Sequence, residues 1–147
     1  MTHKDAGKYS AKHPSGTTFN EQVARMVREK SPGGELACVM GEKISKELGV
    51  KISEVGITAD LLEIKIKKCQ LGLFGYGKKP QHGNDIQAAD FVSDEMKRAI
   101  EGAAENGEVT CAALWMIADR LGTKRKEVSA ACETLKIKIR ECQLGTF

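Results

Sequence analysis

The chain is predicted to be mainly α with short β-strands, built as two tandem copies of one small three-helix unit. Three observations carry this. Residues 19–74 set against 92–147 align without a gap, and 19 of the 56 pairs are identical, where chance gives roughly 3 or 4. Each half repeats apolar residues at helical spacing, with glycine at matching places. Each half also ends in the same alternating Ile and Lys segment, Leu62–Phe74 and Leu135–Phe147. A period of 73 residues is too long for a solenoid and suits a minimal helical domain, so each copy is expected to own a core. The boundaries are a flexible basic tail over 1–18, a first repeat over 19–75, a linker over 76–90 and a second repeat over 91–147.

The elements follow in order. Thr18 and Glu21 have the spacing of a capping box, after which Val23, Met26 and Val27 recur at helical intervals, matched by Met96, Ala99 and Ile100. Glycine ends this first helix. A short segment, Glu35 to Cys38 or Glu108 to Cys111, leads into a second helix whose apolar positions in the second copy are Leu114, Ile117, Ala118 and Leu121. Gly49 and Gly122 then stop that helix in the left-handed conformation glycine adopts without steric cost. A third helix turns Val55, Ala59 and Leu62, or Val128, Cys132 and Leu135, inward at i, i+4, i+7. The alternating run after it reads as a strand. The stretch from Gly75 to Asp90 is rich in turn residues and reads as the linker.

The sequences ISKELGVKISEV and IADRLGTKRKEV, each with an apolar residue before an LG turn and a valine six positions after the glycine, resemble the helix-turn-helix of the winged-helix superfamily. The resemblance spans both copies and makes the fold two tandem winged-helix-like domains from an internal duplication. The CQLGxF ending also resembles that of a small bacterial family of tandem proteins. A winged helix implies that the third helix enters the major groove of double-stranded DNA while the second helix and the wing hold phosphates. In the second copy this assigns Lys124, Arg125, Lys126, Ser129 and Thr134 to the reading helix, with Arg120, Lys138 and Arg140 on phosphates. The expected function is a non-enzymatic DNA-binding protein, a transcriptional regulator in which the second copy reads and the first supports or dimerises. The wing is brief, which leaves its contacts open. These charges equally suit a helix that is simply solvated.

The first copy is a poor reader. Its third helix is expected to present Ile52, Ser53, Gly56, Ile57 and Asp60, a face short of cations that suits a protein contact. Trp115 stands where the first copy has Glu42, a position such a helix places in water, so the indole is expected to be covered by a partner: the other copy, a second chain, or the domain core. Ile52, Ile57 and Trp115 are therefore the candidate protein interface. The alternative function is a protein–protein interaction module that keeps the helix-turn-helix shape without binding DNA.

Charge supports that alternative. The net charge of +3 is spread thinly: residues 19–74 hold 9 basic and 8 acidic side chains, and 91–147 hold 9 of each. RNA binding has no aromatic stacking surface to recommend it. The five cysteines fit reduced thiols in a cytoplasmic protein, which the polar first 18 residues and the lack of a long apolar run also suggest. Cys38 and Cys69 recur as Cys111 and Cys142; four thiolates from two facing copies would hold a metal, but the close CxxC pairs of zinc sites are missing, and small core residues are the competing reading. No metal or cofactor is expected. His3, His13 and His82 fall in the tail or linker, where nothing is expected to fix a catalytic base, so the chain is read as not an enzyme.

Overall fold

The structure, a computed structural model, describes residues 8–76 and 85–147. In chain order the elements are α1 (Glu21–Glu29), β1 (Glu35–Ala37), α2 (Cys38–Leu48), α3 (Ile52–Leu61), β2 (Lys65–Lys67), α4 (Asp94–Ala103), β3 (Glu108–Thr110), α5 (Cys111–Leu121), α6 (Arg125–Leu135) and β4 (Lys138–Arg140). The molecule is mainly helical, and its two halves carry the same elements in the same order. None of these helices is long and apolar enough to cross a membrane.

Local chemistry explains the boundaries. The cap of α1 is Asn20 rather than Thr18: its side chain accepts from the backbone N–H of Gln22 at 2.8 Å and of Val23 at 3.4 Å, with Ser93 doing the same service for Met96 in α4. Gly49 and Gly122 end α2 and α5 with φ of 65° and 67°, so each helix-turn-helix is held by a left-handed residue. Each third helix buries its Val and the residue four on: Val55 and Ala59, Val128 and Cys132. The strands pair in parallel, Leu36 against Ile66 and Val109 against Ile139, so each helix pair is a crossover between two adjacent strands. Among the described residues neither closing strand is followed by the antiparallel partner that a wing requires.

The halves do not own separate cores. One contiguous apolar cluster runs from Val23 through Leu36, Ile44 and Ile66 to Ile100, Leu114, Val128 and Leu144. Leu144, from the closing CQLG turn of the second half, sits against Gly41 and Gly56 of the first. A Cβ on Gly56 would lie 2.1 Å from the Leu144 carbonyl oxygen, and one on Gly41 would lie 3.2 Å from the Leu144 methyls. Phe74 and Phe147, the ends of the two closing turns, meet edge to face at 6.0 Å. Units this short are marginal on their own, and the merged core adds to the apolar surface that each half buries.

Two segments expected to be loose are docked. In the tail, Tyr9–Lys12 forms a 3-10 turn with Tyr9 buried. Its Tyr9 and Ser10 backbone N–H groups donate to the Glu63 carboxylate at 2.8 Å each. In the linker, Asp85 and Ala89 donate backbone N–H bonds to the carbonyls of Gly72 and Ala130, so the segment crosses α6. Both attachments satisfy backbone groups at side-chain or helix acceptors that composition does not reveal. His3, His82 and the GKK stretch after Tyr76 lie outside the described residues.

Candidate functional site: the junction at the start of the sixth helix

The start of α6 was expected to face DNA. It faces the first half instead. The Arg125 guanidinium forms a two-pronged pair with Glu42 of α2, with Nη1 donating to Oε1 at 2.6 Å and Nη2 to Oε2 at 3.0 Å. Nη1 also donates to the Gln70 side-chain carbonyl at 2.9 Å, and Nη2 lies 3.3 Å from Asp119. The guanidinium stacks on the Trp115 ring, 3.9 Å from its centroid. Gln70 closes the circuit by donating to Glu42 at 3.1 Å and, weakly, to the Cys38 sulfur at 3.7 Å. The Arg125 and Glu42 side chains are only 14% and 13% exposed. Burial alone raises the Glu42 pKa, but the bonds from Arg125, Gln70 and Lys46 outweigh it and hold the carboxyl at about 2.

The remaining candidate DNA residues divide. Lys126 is paired with Asp85 of the linker and lies over the Tyr76 ring at 4.5 Å. Ser129 is buried, with no partner for its hydroxyl among the described residues. Thr134 donates its hydroxyl to the Ala89 carbonyl at 2.7 Å. Arg140 is shared between Glu105 and Glu141 at 3.7 Å each. Lys124, Arg120 and Lys138 remain exposed. Arg125 and Ser129 are thus turned into the body, and Lys126 and Thr134 are engaged by the linker.

Of the candidate protein interface, Trp115 is internal, while Ile52 and Ile57 are half-buried. Trp115 is buried beneath Arg125, at the contact between the copies, and its Nε1 has no partner among the described residues. Ile52 is half-buried against the core. Ile57 is half-buried and lines a cavity of about 380 Å³ with Phe19 and Asn20. Gly56 and Asp60, expected outside, are both buried, Gly56 under the Leu144 backbone.

Asp60, expected on an outward face, is the centre of a charge cluster that the sequence did not suggest. Its carboxylate takes His13 Nε2 at 2.8 Å and Lys12 Nζ at 3.2 Å, while Lys12 also donates to the Gly145 carbonyl at 3.1 Å. The geometry of His13 is therefore fixed, against expectation, by a carboxylate 47 residues away in sequence.

Cys38, Cys69, Cys111 and Cys132 are buried, while Cys142 is half-buried. Burial pushes the Cys38 thiol up to about 11 and the Cys111 and Cys132 thiols up to about 12, and raises Cys69 as well. Each is a protonated, poorly nucleophilic group at neutral pH. Among the described residues no set of three or more His, Cys, Asp or Glu side chains is placed to hold a metal ion. No protein-family model, curated protein or solved structure matches this chain.

Proposed function

We propose that this chain is a non-enzymatic protein-binding module of helix-turn-helix type, in which two winged-helix-like units with reduced wings have merged into one body. The observation that carries this reading is the occupied start of α6. Arg125 is spent on Glu42, Lys126 on Asp85, and the Ala89 backbone crosses the outer side of the helix. A reading helix needs its first turn free to enter a groove. The near-neutral halves point the same way, since nonspecific DNA affinity grows with the number of phosphates neutralised. The buried, protonated thiols speak against covalent catalysis by cysteine. Large apolar side chains are instead presented to solvent in the second half, where Phe91 is 81% and Met116 72% exposed.

Titration of the full chain with mixed-sequence duplex DNA at several salt concentrations tests the reading. The expected result is binding no tighter than about 100 µM even at low salt. Submicromolar binding with a steep salt dependence, flattened by Lys124→Ala, Lys138→Ala and Arg120→Ala together, would return the chain to the DNA-binding class.

A further inference from the structure

The two halves differ most informatively in the groove between their first and second helices. In the second half this groove, between α4 and α5, is open to solvent and has a volume of about 520 Å³. Its floor and walls are small or apolar: Ala99, Gly102 and Ala103 from α4, Ala113 and Met116 from α5. The aligned residues of the first half are Met26, Glu29, Lys30, Met40 and Lys43, bulky or charged at every place. Four of these five positions carry a smaller side chain in the second half: Ala99, Gly102, Ala103 and Ala113. Met116, replacing Lys43, stands exposed on its rim as a flexible apolar contact.

The charge at the groove also differs. Arg98 and Arg120 line it together, and Arg120 replaces Glu47 of the first half, turning a mixed pair into two cations. Neither arginine makes an ion pair with a described residue, whereas Arg125 and Arg140 do. The groove therefore asks for an apolar anchor with carboxylates beside it.

The chain itself carries that complement. The segment Ala88–Asp94 reads ADFVSD from Ala89, with Phe91 projecting into solvent while its neighbour Val92 packs on the core. Asp90 and Asp94 stand on either side of Phe91 in the sequence, and neither makes an ion pair with a described residue. Phe91 replaces Thr18 of the first half, so anchor and groove both arise in the same half. We propose that a second copy of this chain fills the groove with Phe91, Asp90 and Asp94 facing Arg98 and Arg120. Because anchor and groove lie on one half, a two-fold pair exchanges both reciprocally and closes without leaving either unfilled. This rests on the protein-binding reading and names its partner.

Sedimentation velocity on the full chain tests it. Wild type is expected to dimerise at tens of micromolar, as suits a compact interface with one central aromatic anchor per side. Phe91→Ser and Met116→Glu should each weaken association more than about tenfold, with helical circular dichroism unchanged. The double reversal Arg98→Glu with Arg120→Glu should abolish it, and adding Asp90→Arg should restore it, which a merely structural effect would not do. A chain that stays monomeric, or a dimer indifferent to Phe91→Ser, overturns the proposal. A monomer that also ignores DNA removes only this partner, while salt-dependent DNA binding removes the reading beneath it.

Discussion

At the scale of single residues, the clamp of Arg125, Glu42 and Gln70 ties the second half to the first through a largely buried ion pair. Two opposite charges taken largely out of water are costly unless each keeps good hydrogen bonds, and here they do. Removing one partner strands the other. Glu42→Gln is therefore expected to destabilise the chain by about 3 kcal/mol at neutral pH. Since the folded carboxyl is held at about 2 against an ordinary 4.5, this contribution is complete above the ordinary value and lost as pH falls toward 2. Urea denaturation of both proteins across this range should show the gap narrowing on acidification; a gap constant with pH would refute the assignment. Gly56 offers a second test. Alanine normally favours a helix by up to about 1 kcal/mol over glycine, but at Gly56 the new methyl meets the Leu144 backbone at 2.1 Å. Gly56→Ala should thus lower stability by about 1–3 kcal/mol, while Gly41→Ala, which meets only the ends of the Leu144 side chain at 3.2 Å, should cost clearly less. Equal effects at both positions would contradict this packing.

At the scale of elements, the helix-turn-helix pairs were legible because their signals are local. Gly49 and Gly122 terminate α2 and α5, and the inward valines of α3 and α6 follow from helical spacing. What those helices face was not legible. Arg125 looks like a solvated cation until it is set beside its counterpart Ile52, and Trp115 beside Glu42: at two aligned positions the halves exchange chemistry, one holding Glu and Ile, the other Trp and Arg. That exchange was the available signal for a contact between unlike halves. Asp60 gave none, because its partners Lys12 and His13 belong to a segment with no periodic pattern. The strands show a similar divide. Alternating Ile and Lys announced them, whereas their parallel pairing with the segment before each second helix depends on the crossover, a property of the whole unit. The cysteines at the start of each second helix supply the prediction for this scale. Iodoacetamide at mildly alkaline pH should label half-buried Cys142 first, leaving Cys38, Cys69, Cys111 and Cys132 to react only on unfolding. Rapid native labelling of Cys38 or Cys111 would show that the junction opens.

At the scale of the molecule, repetition in the sequence suggested two independent domains, and the structure joins them. Two halves of this size each bury little, and each has an incompletely covered flank along its second and third helices. Setting those flanks together, with Leu144 in the gap left by Gly41 and Gly56 and Phe74 against Phe147, converts them into one core. The same packing takes up Arg125 and Ser129, two of the residues expected on the reading face, and leaves Arg120, Lys124 and Lys138 outside. The most direct measurement of this claim is equilibrium urea unfolding followed by Trp115 fluorescence and far-ultraviolet circular dichroism, together with separate expression of residues 1–76 and 77–147. A single transition with coincident midpoints, and no cooperative folding of either fragment alone, is the result expected of a shared core. Two resolved transitions, or a fragment that folds cooperatively by itself, would show that each half stands on its own and that the junction at Arg125 is incidental.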